Sequence, residues 1–190
     1  QNRIVLGTTT IGATKTGLAS VSLGGKGSIT IGSSSAESIE NADILFSKAG
    51  LQFNRIFNPQ IAVWKKAIIN AGINPIAAVL NISNGEILDN QYAFELQAMV
   101  VEEAVVTARA EGIILDNTAM LQEVREICDK TSENICSMLQ DIRNRRKTEI
   151  DSINGVIIDT AFRYGITVSA TKTLYLLVKG LEVKNSHIQP

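Results

Sequence analysis

Histidine is nearly absent: the 190 residues hold one, His187. The two cysteines, Cys128 and Cys136, have no histidine beside them. That leaves no ligand set for zinc, and the pair reads as reduced, packed thiols rather than a disulfide. His187 falls in a frayed-looking tail, Val183 to Pro190, and receives no catalytic role. Neither sign of charge is in surplus, with 18 Lys+Arg against 19 Asp+Glu. No basic excess exists to neutralise phosphates or to hold an anionic bilayer, which argues against nucleic-acid and membrane partners. A long apolar run is also missing. The most apolar stretch, Ile61 to Leu80, is broken by Lys65, Lys66, Asn70 and Asn74, residues that are costly in hydrocarbon. The opening Gln1 to Thr8 lacks the charged-then-apolar pattern of a secretory signal, so a soluble, cytoplasmic chain is expected.

What is present is enough apolar material, 45% of residues, for one sizeable core and a second small unit. The first part is strand-like: Ile4 to Ile11, Ala19 to Leu23 and Ser28 to Ile31 alternate with turn sequences around Lys15-Thr16-Gly17 and Gly24-Gly25-Lys26-Gly27. This order predicts a small antiparallel meander. Ser34 and Glu37 form a capping-box pattern before an amphipathic helix that Gly50 stops, and a short strand follows through Leu51 to Phe57. At Asn58-Pro59 the pattern turns helical, Asn as N-cap and Pro at the first helical position. Helices are predicted over Asn90 to Glu111, Thr118 to Cys128, Thr131 to Arg145, Glu149 to Tyr164 and Ser169 to Glu182, with Gly112 and Gly165 as stops. The reading is an α+β chain, with a strand-rich domain over 1–57 and an all-helical one over 58–190.

Within the first long helix, Lys66, Asn70 and Asn74 recur every four residues and so share a face. Polar groups lowered into an apolar helix need water, a ligand or another polar group. The alternative is that the lysines snorkel outward and the amides bond nearby backbone, and spacing alone tilts that way. The turn Asn81-Ile82-Ser83-Asn84-Gly85-Glu86 is ordinarily explained by the tolerance of Asn-Gly for positive φ. Arg143 to Lys147 suit a helix C-terminus, and Thr148-Glu149 suit the start of the next helix.

Taken together, Trp64-Lys65-Lys66 with Asn70, Asn74-Pro75, Asn84-Gly85-Glu86, Ser137-Met138-Leu139-Gln140-Asp141 and Thr148-Glu149-Ile150-Asp151-x-Ile153-Asn154-Gly155 resemble the ketopantoate reductase family. The resemblance reaches back to Gly7-Thr8-Thr9-Thr10 and forward to Leu174-Tyr175-x-Leu177-Val178-Lys179. It implies a Rossmann-type remnant followed by a helical domain like that of 6-phosphogluconate dehydrogenases, and reduction of 2-dehydropantoate to pantoate with NADPH, on the route to pantothenate and coenzyme A. It further implies that Lys66 protonates the substrate ketone. Glu149 would pair with that lysine and hold substrate or cofactor hydroxyls. Asn70, Asn74, Asn84, Asn134 and Ser137 would orient the substrate's hydroxyl and carboxylate.

One departure is large. The family's opening Gly-x-Gly-x-x-Gly turn is missing, and Gly25-Lys26-Gly27 leads into a strand. The chain therefore reads as the carboxyl-terminal two thirds of such a protein, a fragment inactive alone. At Ser169, the predicted start of the last helix, the family commonly has proline; serine can cap there instead, and little follows from the difference. A reductase of another 2-keto acid and a non-catalytic helical interaction module are the alternatives. A homodimer is compatible with either enzyme reading.

Overall fold

The computed structural model describes residues 4–9, 11–23, 27–33, 35–56 and 58–186. His187, the Gly24 to Lys26 turn and Ser34 lie outside them. Two compact units result, Gln1–Lys66 and Ala67–Pro190.

In the first unit, β1 (Leu6–Thr9), β4 (Ile29–Gly32) and β5 (Asn54–Ile56) form one sheet in the order β1-β4-β5, while β2 (Ala13–Lys15) and β3 (Val21–Leu23) form a separate two-stranded ribbon. The expected meander is thus corrected. β1 pairs antiparallel with β4, Leu6 opposite Gly32, and β4 pairs parallel with β5, Thr30 opposite Asn54. The meander fails because β1 skips the two strands that follow it and pairs with β4; the parallel β4–β5 neighbours are joined by the crossover α1 (Ala36–Lys48). The N-cap of α1 is Ser35, whose side chain accepts from Ser38 N at 3.3 Å, in place of the predicted Ser34. Gly50 ends the helix at φ 68°, and Phe53 beyond it meets Phe46 edge-on, centroids 5.3 Å apart.

Helix α2 (Pro59–Leu80) starts as its sequence predicts: the Asn58 side chain accepts from Gln60 N at 3.0 Å, ahead of Pro59. It continues through Pro75, which lacks the N–H that would bond the Ala71 carbonyl, and Asn81 closes it at φ 57°. In the second unit α2 is buried from Ala71 through Ala78. The short α3 (Glu86–Asp89) leads into α4 (Gln91–Ala110), capped by Asn90, and then α5 (Asn117–Lys130), capped by Asp116. α4 is the central element, with Val100, Val101, Ala104, Val105 and Ala108 all buried and α3, α5, α7 and α8 against it. Fully buried Ile68, Ile76, Leu139, Ile150, Ile157 and Leu174 complete the core; each is worth about 2 kcal/mol on burial.

The rest of the unit departs from the predicted helices. Residues 131–136 are not helical; α6 is only Ser137–Arg143, with Cys136 as its N-cap. Glu149 does not open a helix, because a π turn, Asp151–Gly155, comes first and α7 (Val156–Arg163) follows it. Gly112 and Gly165 stop α4 and α7 in left-handed conformations, as predicted. The last helix, α8 (Ser169–Ser186), begins at Ser169 as the sequence predicts. The free N–H groups of Ala170 and Thr171 are taken by the two oxygens of Glu103, at 2.9 and 2.8 Å. A carboxylate on helical donors suits the positive end of the helix dipole.

Candidate active site

Along α2 the polar stripe keeps its four-residue spacing, but exposure falls along it. Lys66 is exposed, Asn70 half-buried and Asn74 buried, at 7%. The expectation of a buried lysine is therefore not met. The Lys66 ammonium reaches Thr9 in β1, donating to its carbonyl at 3.0 Å. One of its three N–H donors is so engaged.

A second group forms where two turns dock. Asn84 N donates to Asn134 O, and Gly85 N to Ser132 O, both at 3.0 Å. The positive φ anticipated at Asn84-Gly85 belongs to Asn81 instead; Gly85 has φ −66°. Glycine is needed at 85 for a different reason. A Cβ there would lie 2.7 Å from Ser132 Cβ and 2.9 Å from Ser132 Cα. This close approach joins Asn84 to Asn134, two residues picked out separately in the sequence.

The Asn84 side chain is oriented by a short relay. Thr131 Oγ1 spends its one proton on the Ile127 carbonyl at 2.6 Å, so toward Asn84 it can only accept, and Asn84 Nδ2 donates to it at 2.9 Å. The amide oxygen consequently faces away from Thr131. It is buried without a hydrogen-bond partner. Buried Cys136 links the same region to α2: its Sγ donates to the Asn74 carbonyl at 3.6 Å and accepts from Leu139 N at 3.4 Å. Burial pushes its thiol pKa up, which suits a structural rather than a reactive cysteine. Cys128 is likewise free and buried. Asn134 and Ser137, flanking Cys136, are both exposed.

Glu149 is exposed and makes no hydrogen bond to Asn70, Asn74, Asn84, Asn134 or Ser137. Its carbonyl accepts from Ser152 N at 3.0 Å and Ile153 N at 3.1 Å. On either side of it the chain is gripped by α8, a set of contacts the sequence reading missed. Glu182 Oε1 accepts from both N and Oγ1 of Thr148, at 2.7 and 2.8 Å. Asp151 accepts from the Tyr175 hydroxyl at 2.9 Å and from Lys179 Nζ at 3.2 Å. Lys179 also pairs with Glu182 at 2.8 Å. The Tyr175 hydroxyl, then Lys179, hold the Asp151 carboxyl below its ordinary pKa. Burial pushes Glu182 up, but the bonds from Lys179 and Thr148 outweigh it and its carboxyl also falls below the usual value. Thr148, Asp151, Tyr175 and Lys179 lie in the motifs that carry the family resemblance, but Glu182 does not, and its spacing from 175 and 179 reads equally well as a solvated helix face.

The basic run Arg143 to Lys147 is held by side chains rather than by the helix dipole alone. Arg143 bonds Asn81, Arg146 pairs with Asp141 and Lys147 with Asp151. Among the described residues no group of histidine, cysteine and acidic side chains could hold a metal ion, and no helix is long and apolar enough to cross a membrane.

Residues 58–182 match the family described as ketopantoate reductase PanE/ApbA, C terminal. The 2-dehydropantoate 2-reductase of Archaeoglobus fulgidus is 32% identical over 184 residues, 95% of this chain and 61% of the relative. That of Pyrococcus horikoshii is 38% identical over 146 residues, 77% of this chain and 48% of the relative. The chain thus spans roughly half to three fifths of the length of these relatives. Among solved structures, a ternary complex of D-mandelate dehydrogenase with NADH and anilino(oxo)acetate superposes with a TM-score of 0.89 at 28% identity, covering 96% of this chain and 61% of that one. A PanE/ApbA family ketopantoate reductase from Ralstonia eutropha JMP134 gives 0.86 at 27% identity, covering 96% and 60%.

Proposed function

The chain belongs to the ketopantoate reductase PanE/ApbA C-terminal family, and from that premise we propose that it forms the keto-acid-binding part of a reductase converting 2-dehydropantoate to pantoate with NADPH, on the route to pantothenate and coenzyme A. The proposal divides the chain at Asn58, between the end of a nucleotide domain and the helical domain that binds substrate. It describes a cytoplasmic enzyme and is compatible with a homodimer.

The observation that carries the proposal is the orphaned Asn84 oxygen. A buried acceptor without a donor costs about 1–3 kcal/mol, and a hydroxyl-bearing acid supplies that donor. In the proposed roles, Asn70 and Asn74 orient the same hydroxyl, and exposed Ser137 and Asn134 contact the carboxylate. Lys66 has N–H donors beyond the one given to Thr9 O, and donates a proton to the ketone oxygen as negative charge develops there. Glu149 pairs with Lys66 and holds a substrate or cofactor hydroxyl. A non-catalytic helical module has no need of these groups in family register.

Among the described residues, Ser33 and Ser35 are hydrogen-bonded within the chain rather than set apart for the cofactor's pyrophosphate. At the β4–α1 junction Ser33 Oγ donates to Ile4 O and accepts from Ser35 N, and Ser35 Oγ accepts from Ser38 N. No residue described here is assigned to that group.

The D-mandelate dehydrogenase likeness favours one further reading, reduction of a different 2-keto acid. Steady-state turnover by the full-length protein separates the two. We expect kcat/KM for ketopantoate to exceed that for an aromatic 2-keto acid without a hydroxyl by about 10²-fold or more, since a site built to bond a hydroxyl rejects analogues lacking it. Equal or reversed preference would exclude ketopantoate as the substrate.

A further inference from the structure

Glu149 stands on an exposed turn, where a side chain involved in chemistry would wander unless its backbone were held. Its two flanks are held by one element. Upstream, Glu182 takes both the N–H and the hydroxyl of Thr148 with a single carboxylate oxygen. The Thr148 hydroxyl in turn accepts from Ile150 N at 3.2 Å, drawing the chain into a tight loop around residue 149. Downstream, Tyr175 and Lys179 fix Asp151. Thr148 is 5% exposed and Ile150 fully buried, so the anchor points lie in packed surroundings while the residue between them is open. Tyr175, Lys179 and Glu182 recur at four and three residues, so one face of α8 presents all three grips.

We propose that Glu182 is a positioning residue: through Thr148 it sets where the Glu149 carboxylate stands, with Tyr175 and Lys179 of α8 holding the far side of the same turn. The inference rests on the role given above to Glu149. Glu182 touches neither substrate nor cofactor in this scheme. Its effect passes through the backbone at Thr148, and Lys179 on its second oxygen keeps it from turning away.

A double-mutant cycle on kcat and KM for ketopantoate in the full-length protein tests this, with circular dichroism as the check on folding. Glu182→Ala is expected to lower kcat by roughly ten- to a hundredfold, the usual cost of misplacing a reacting group by about an ångström, with KM little changed. Glu182→Gln keeps the acceptor oxygen and should recover most of that loss. In a Glu149→Gln background, Glu182→Ala should add less than about twofold, because the two changes act on one group. The same factor in both backgrounds would show a purely structural role and overturn the inference while leaving Glu149 in place. Wild-type turnover in Glu149→Gln would instead remove the role of Glu149, and the inference with it. If Glu182→Ala fails to fold, Tyr175→Phe, which frees Asp151 on the far side of the turn, runs the same cycle and decides in the same way.

Discussion

On the proposed function, replacing Lys66 by alanine in the full-length protein is expected to lower kcat/KM for ketopantoate by about 10²–10⁴-fold, the range lost when a positioned proton donor is removed. The side chain is exposed and its one described hydrogen bond is to a backbone carbonyl at the surface. Its loss should change stability by no more than about 0.5 kcal/mol. That contrast makes the experiment informative: thermal midpoint and circular dichroism stay put while turnover collapses. Lys66→Arg keeps the positive charge but is poor at releasing a proton, because a guanidinium stays protonated. It should therefore resemble the alanine variant in kcat. Wild-type rates of NADPH oxidation in Lys66→Ala would remove this residue from the chemistry.

The second large effect is expected from Gly85→Val. Even a Cβ at this position meets Ser132 at 2.7 Å, and the next atoms in its way, at 2.9 and 3.2 Å, are backbone. No side-chain rotation relieves such a contact, so the two turns must separate. Their separation breaks the bonds from Asn84 N to Asn134 O and from Gly85 N to Ser132 O. We expect a loss of about 3 kcal/mol, the upper end of the overpacking range, read from urea unfolding, and weakened pantoate binding by calorimetry. Gly85→Ala should show the same sign with a smaller size. Unchanged unfolding midpoints in both variants would mean that this docking is looser than its distances imply.

The parts of the fold that could be read in the sequence are those governed by neighbours in the chain. Asn58-Pro59, Asn90, Gly112 and Gly165 start and stop helices through bonds reaching only a few residues, so their meaning is local. Strand partners are chosen over long separations. Nothing near Leu6–Thr9 announces that its neighbour is Ile29–Gly32 rather than the strand that follows. The helical pattern through Thr131 to Cys136 failed for a related reason: this segment is committed to docking on Asn84 and Gly85, an interaction invisible to periodicity. The start of α8 shows the same thing, since the N–H groups of Ala170 and Thr171 are met by Glu103, a residue 66 positions before Ser169 in the chain.

The candidate site divides along the same line. Lys66, Asn70 and Asn74 stood out because polar residues at helical spacing conflict with an apolar helix. Tyr175, Lys179 and Glu182 also share a helix face, at four and three residues, but on a helix with many polar residues, where no such conflict marks them out. Their importance comes from what lies opposite, Thr148 and Asp151, and a one-dimensional reading contains no opposite.

The ribbon of β2 and β3 bears on how the first sheet assembles. Measured along the chain, Thr9 and Ile29 are distant partners, and joining them means closing the whole intervening segment. Ala13–Lys15 and Val21–Leu23 pair with each other across a short turn, an event that needs no distant residue. Once that ribbon has zipped, the chain left to close between Thr9 and Ile29 is shorter than their separation in sequence. Closure entropy grows with the logarithm of loop length, so the excursion shortens the search that the sheet must make instead of lengthening it.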